Sequence, residues 1–172
     1  MIYTDKYYSP LGEITLAGTG THLTGLWFAG QKYFAKNQTI EKYVRDSNAF
    51  VKVRSWLDLY FCGICPDFRP DVELDGTPFQ LLVWNILKRI PYGRVVTYKD
   101  IACEAANLMG IASMSAQAVG NAVGRNPVSI IVPCHRVIGC GGTLIGYAGG
   151  IDKKISLLQL EHIDVSSLKC PK

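Results

Sequence analysis

The chain has 172 residues and a mass of 19.0 kDa, enough for one ordinary domain or two small ones with a real core. Apolar residues make up 48% and charged residues 19%, which excludes intrinsic disorder, and no apolar run approaches the roughly 20 residues of a membrane helix. Net charge is +4, with −1 over residues 1–87 and +5 over 88–172, a balance compatible with a polyanion on the C-terminal half.

The start, Met1 to Lys6, lacks a basic-then-apolar leader pattern, so a cytoplasmic protein is expected. The first thirty residues read as a β-meander. Lys6 to Ser9 is β-prone, Ser9-Pro10-Leu11-Gly12 is a turn, and Glu13 to Ala17 alternates in polarity. Gly18-Thr19-Gly20 turns the chain again, and His22 to Phe28 forms a further strand. From Asn48 to Phe61 the period becomes helical, with Phe50, Val53, Leu57 and Tyr60 or Phe61 on one face and Ser47 as the cap. Residues 63–76 hold Gly63, Pro66, Pro70 and Gly76 and make the best linker.

A helix start follows, with Thr77 as N-cap, Pro78 at the first helical position and Gln80 closing a capping box. Its apolar stripe runs from Phe79 to Ile90, and Pro91-Tyr92-Gly93 ends it. Arg94 to Val96 is a short strand. Thr97 caps a helix from Tyr98 to about Ala106, with Asp100 near its positive end. Met109-Gly110-Ile111 breaks it, and Ser113 or Ser115 opens a second helix that ends at Asn126-Pro127. The pair has helix-turn-helix spacing. The second helix is nearly all small residues: Ala116, Ala118, Val119, Gly120, Ala122, Val123 and Gly124. Two helical glycines cost about 1 kcal/mol each against alanine, so something must approach this backbone closely. Tight helix packing and a nucleic-acid groove, with Arg125 near phosphates, both satisfy that requirement. Ser129 to Val132 reads as a buried strand ended by Pro133, residues 139–150 as a glycine-rich loop, and Asp152 as the cap of a last helix to about Glu161. Ile155, Leu158 and Ile163 are its anchors.

Six cysteines stand at 62, 65, 103, 134, 140 and 170. Cys62 and Cys65 form a C-x-x-C pair without a partner pair, which reads as two thiols and only secondarily as a metal or redox site. Cys134 is followed by His135 and Arg136 at a strand end. A free thiol has a pKa of about 8.5, and a neighbouring imidazole takes its proton at the moment of attack. Adjacent side chains on a strand point to opposite faces, so His135 serves Cys134 only if Pro133 turns the chain or a water bridges them.

The string from Asn126-Pro127 to Pro133-Cys134-His135-Arg136-Val137 resembles the active-site segment of the O6-alkylguanine-DNA alkyltransferases, the methylated-DNA–protein-cysteine methyltransferases. The resemblance covers about residues 77–163. It includes the T-P-F-Q-x-x-V-W helix, Pro91 to Tyr98, the small-residue helix, the loop Gly146-Tyr147-Ala148-Gly149-Gly150, and Leu157-Leu158-x-x-Glu161. The N-terminal meander looks like the family's first domain. The implied fold is α+β: a small β-rich, ribonuclease-H-like domain over 1–75, then a mostly helical, winged-helix-like DNA-binding domain over 76–172.

The resemblance implies that Cys134 attacks the alkyl carbon on guanine O6 and keeps the group, with O4-alkylthymine as a second lesion. His135 would be the base, acting through water and oriented by Glu161, and Asn126 would tie the chain ends beside the site. Tyr98 would offer its hydroxyl to a flipped base. Tyr147 and Ala148 would wall the pocket, and the backbone at Cys134 and Val137 would read the guanine amino group. Ala118, Gly120 and Ala122 would lie in the minor groove of double-stranded DNA, with Gln117, Arg125 and Arg136 also on the substrate or DNA side. Where relatives most often insert an arginine into the base stack, this chain has Gln117, shorter and uncharged. No cofactor, metal or membrane is implied, and the chain is expected to act as a monomer. Two other classes stay open: an alkyltransferase-like lesion binder, against which Cys134 argues, and a multiple-turnover Cys-His hydrolase.

Overall fold

The structure, a computed structural model, describes residues 2–35, 42–43 and 48–170. It divides into two compact units, one of residues 1–75 with 127–131 and one of residues 76–126 with 132–172.

In the first unit the meander forms three antiparallel strands, β1 (Tyr3–Ser9), β2 (Gly12–Gly18) and β3 (Leu23–Phe28). The turn between β1 and β2 rests on Gly12 at φ 110°, a conformation that favours glycine. A two-residue strand, β4 (Lys42–Tyr43), runs parallel to β1, giving the order β3-β2-β1-β4; periodicity gave no sign of so short a pairing. Helix α1 (Asn48–Phe61) buries Phe50, Val53, Trp56, Leu57 and Tyr60 and packs on β1, β2 and β3. The cap expected at Ser47 lies outside the described residues. Residues 71–73 of the expected linker are pinned to β3, since the Leu23 amide donates to Asp71 and the Glu73 amide to Leu23.

The segment expected as a strand, Ser129 to Val132, is a series of turns. Val128 makes an isolated parallel bridge to Leu26, and the Ser129 amide donates to the Leu26 carbonyl at 2.9 Å. Ile130 then takes φ 68°, which a β-branched residue adopts only when its surroundings impose it. Ile130 is buried, and Ser129 Oγ donates to the buried Gln31 Oε1 at 3.0 Å. The apolar run therefore reflects burial and not extended pairing.

In the second unit, α2 (Pro78–Leu87) starts at the Thr77–Gln80 box, α3 (Tyr98–Met109) at a Thr97–Asp100 box, and α4 (Ala116–Gly124) at Ser115. Gly110, left-handed at φ 66°, closes α3 and opens the turn to α4. The three helices pack on one another, and the buried Trp84 of α2 donates through Nε1 to the Ala122 carbonyl at 2.9 Å. A short strand β5 (Val96–Thr97) pairs in parallel with β6 (Val137–Ile138). Helix α5 (Ile151–Leu160) follows the glycine loop. Its N-cap is Gly150 with no side-chain bond; Asp152 sits in the first turn and does not cap, because the positive φ of Gly150 leaves the cap one residue before Ile151. Leu158 joins Ile138 and Leu144 in a small core that Val95, Ile155, Ile163, Val165 and Leu168 cover.

Candidate active site

Pro133, at φ −82° and ψ 63°, turns the chain into a single 3-10 turn, Cys134–Arg136, closed by the Arg136 amide on the Pro133 carbonyl. Cys134 is thus at the start of a turn and not at the end of a strand, which removes the objection that neighbouring side chains must diverge. The thiol is buried. Asn126, just past α4, donates through Nδ2 to Cys134 Sγ at 3.1 Å and to the Val132 carbonyl at 2.8 Å. Burial pushes the Cys134 thiol up; the Asn126 hydrogen bond, the Lys154 charge and the backbone amides of Cys134 and His135 oppose that rise.

His135 is fully buried, and its Nε2 lies 2.7 Å from Glu161 Oε1. Burial lowers its pKa despite the hydrogen bond and charge of Glu161, so the imidazole is neutral at pH 7. An ionised carboxylate only accepts, so Nε2 carries the proton and Nδ1 is the basic nitrogen. Burial alone would raise Glu161, but hydrogen bonds and charge from His135 and Arg136 outweigh it and hold the carboxyl well below the usual range. Arg136 grips Glu161 with Nε at 2.8 Å and Nη2 at 2.9 Å, and the Gly93 amide adds a bond at 3.1 Å. The remaining guanidinium nitrogen, Nη1, donates to the Ile90 carbonyl at 2.6 Å, and the group lies 5.8 Å over the Tyr92 ring.

That geometry corrects two expectations. Arg136 is 7% exposed and turned inward onto Glu161 and the Ile90 carbonyl, not outward to the surface where a phosphate would lie. Ala122 is 3% exposed and turns with Val119 and Val123 into the protein. The outward face of α4 is Ala116, Gln117, Gly120, Asn121 and Gly124. Asn121, four residues after Gln117 and so on the same helix face, escaped the sequence reading. A Cβ on Gly124 would meet nothing within 4 Å, and one on Gly120 would only touch the Tyr98 ring at 3.8 Å.

A cavity of about 410 Å3 opens between α3, α4 and the loop, lined by Tyr98, Gln117, Gly120, Asn121, Ile145 and Gly146 among others, within the range of small-ligand pockets. Tyr98 Oη lies 3.3 Å from the carbonyls of both Ile145 and Gly146. Burial first, then the Cys134 charge, pushes its pKa up to about 12, so it is a proton donor at neutral pH. Gly146 takes φ 70°, and a Cβ there would come within 2.5 Å of Tyr98 Oη, so the loop can lie against Tyr98 only with glycine. Tyr147 is buried and Ala148 half-buried on the following turn, while Arg125 is exposed at the end of α4. Val137 is buried, and its carbonyl accepts from Lys154 Nζ. All six cysteines are free, and among the described residues no group of three or more His, Cys, Asp or Glu could hold a metal.

Residues 78–163 match the family model 6-O-methylguanine DNA methyltransferase, DNA binding domain, and residues 2–75 match the ribonuclease-like domain of the same enzymes. The methylated-DNA–protein-cysteine methyltransferase of Mycobacterium leprae is 43% identical over 165 residues, 96% of this chain and 95% of its own length. This chain belongs to the 6-O-methylguanine DNA methyltransferase family. The Methanosarcina acetivorans methyltransferase is 41% identical over 160 residues, 93% of this chain and 98% of that one. The crystal structure of Mycobacterium tuberculosis OGT in complex with DNA aligns with a TM-score of 0.79 at 39% identity, covering 96% of this methyltransferase-family chain and 94% of the other. The α+β architecture expected from the sequence is the one found. Within this family member no described helix is long and apolar enough to cross a membrane.

Proposed function

We propose that this protein repairs DNA by moving an alkyl group from O6 of a guanine in double-stranded DNA to Cys134, once and irreversibly. One observation carries the reading: a buried thiol held by Asn126 adjoins, in one turn, a neutral histidine anchored by an ionised glutamate. His135 Nδ1, acting through a water, takes the thiol proton as Sγ attacks. The S–C bond forms, the C–O6 bond breaks, and the electron pair leaves on the purine, where Tyr98 offers a proton. The imidazolium is stabilised by Glu161, and no residue needs to turn over because the thioether is final.

The reacting carbon lies inside a base stack, so the nucleotide must leave it. The cavity beside Tyr98 and Gly146 suits an extruded base, and the small outward face of α4 suits a groove. Chemistry and DNA contact are assigned to residues 76–172 and a supporting role to 1–75. Every site residue comes from one chain, so a monomer suffices, and five further free thiols suit the reducing cytoplasm.

The test is stoichiometric. After incubation with an O6-methylguanine oligonucleotide, the Cys134 peptide should gain one methyl, about 14 Da, with one lesion lost per protein. Continuing turnover at unchanged mass would establish hydrolysis instead, and tight binding without transfer a lesion binder.

Gln117 lies exposed at the cavity rim on α4. Glutamine fills space and hydrogen-bonds but supplies no cation for stacking or phosphate. Gln117→Arg is therefore expected to speed repair of duplex substrate and tighten binding, with the rate on free O6-methylguanine unchanged. Single-turnover rates on both substrates check this; equal duplex rates and affinities in parent and variant refute it.

A further inference from the structure

Asn121 is exposed on α4, and no step of the transfer assigned above uses it. It and Gln117 are the two hydrogen-bonding side chains on an outward face that is otherwise Ala116, Gly120 and Gly124. Both line the cavity given to the extruded base, so both stand where a bound duplex is interrupted. Among the described residues the Asn121 amide has no hydrogen-bond partner, which leaves its two N–H donors and its carbonyl open to a ligand.

The backbone around Asn121 is bare. Gly120 precedes it, and Gly124 lies three residues on, on the same face. Neither glycine is demanded by the fold: a Cβ on Gly124 would meet nothing within 4 Å, and one on Gly120 only the Tyr98 ring at 3.8 Å. Each costs helix stability relative to alanine, and each lets another surface come close to the helix beside Asn121. A helix with full side chains is about as wide as the major groove, about 12 Å, whereas the minor groove is about 6 Å wide. A face of bare backbone and methyl groups suits the narrower groove, and from there a short amide reaches the base edges.

In that groove an A·T pair offers acceptors alone, whereas guanine adds its N2 amino donor beside the N3 acceptor. An asparagine amide matches guanine with two bonds: Nδ2–H donates to N3, and Oδ1 accepts from the N2 amino group. On an A·T pair Oδ1 finds no donor. We propose that Asn121 is a specificity-determining residue for the base pair beside the lesion: it contacts the guanine N2 amino group from the minor groove, so that alkyl transfer depends on flanking sequence. The proposal rests on the alkyl-transfer reading and adds a sequence preference to it. A two-bond match of this kind is worth about tenfold between the matching and the non-matching base.

The experiment measures single-turnover transfer, at limiting DNA, from duplexes carrying O6-methylguanine. The pair on each side of the lesion is set in turn to G·C, inosine·C, A·T or 2,6-diaminopurine·T. Inosine lacks only the N2 amino group of guanine, and diaminopurine places an amino group at that point on an A·T pair. The parent should react about tenfold faster beside G·C than beside inosine·C on at least one side of the lesion. Diaminopurine·T should rank with G·C, and A·T with inosine·C. Pair strength pulls the other way, because the pairs with the amino group are the firmer ones and resist extrusion of their neighbour. Asn121→Ala, an exposed change to a better helix former, should react alike beside all four pairs, while Gln117→Ala keeps the parental ratio. Equal parental rates beside G·C and inosine·C on both sides overturn the proposal. So does a parental ratio that survives in Asn121→Ala, most directly if Gln117→Ala has lost it. A parent that transfers from none of the duplexes refutes the alkyl-transfer reading itself, and equilibrium titration of the same duplexes then makes the same comparison between parent and Asn121→Ala.

Discussion

Cys134→Ala is expected to abolish alkyl transfer outright while leaving affinity for alkylated duplex nearly at the parental value. The thiol is the one acceptor in the proposed reaction, and no other described cysteine shares its setting: the remaining five are exposed. Affinity, in contrast, is expected from phosphate and groove contacts, which the proposed function gives to α4 and Arg125 and not to a side chain 4% exposed. The substitution removes one sulfur and leaves Asn126 its second bond, to the Val132 carbonyl. Transfer measured by mass and binding measured by titration at one fixed salt concentration check the two halves separately. Methyl transfer retained by Cys134→Ala would refute the assignment of the acceptor.

The second large effect is on Glu161→Ala. It should reduce stability by about 3–5 kcal/mol, because it leaves the Arg136 guanidinium buried and uncompensated. Transfer should fall by about 100-fold or more, since His135 loses the group that fixes its tautomer and stabilises its charged form. Urea denaturation and single-turnover kinetics read the two losses. Glu161→Gln preserves the shape and isolates the charge, and its pH dependence has a defined sign. A carboxyl held below its unfolded pKa contributes stability that is full above about pH 4.3 and drains away as pH falls toward the folded value. The gap in stability between parent and Glu161→Gln should therefore narrow on acidification below that point. A gap that widens would mean the carboxyl is not ionised in the folded protein. His135, lowered by burial, also costs the folded protein stability as pH falls below about 6.5, so the gap is read below about pH 4.3, where the carboxyl itself titrates.

Local signals carried much of this architecture. Thr77, Thr97 and Ser115 opened helices where their side chains could reach an orphan amide, and Gly110 closed one by its left-handed conformation. The string around Cys134 gave the chemistry, because nucleophile, base and the asparagine lie close together in sequence. What periodicity could not supply were facts settled by distant partners. Ser129 to Val132 is apolar because it is buried, and burial alone does not distinguish a strand from a set of turns. Arg136 reads as a DNA contact until Glu161, 25 residues on, is seen to occupy it. Lys154 was nearly legible: it shares the apolar spacing of Ile151, Ile155 and Leu158, and a charge on that stripe marks a buried one.

Gly124 bears on how such a protein could be altered. Its position has room for a methyl group that no atom of the folded chain would contest, and alanine there would firm the helix by up to about 1 kcal/mol. A laboratory screen rewarding heat resistance alone would accept that change readily. If the duplex lies along this outer surface as proposed, the bare backbone serves that contact, and the sturdier protein would sit more loosely on its duplex. Durability and grip compete at this residue, and selection for one should be checked against the other.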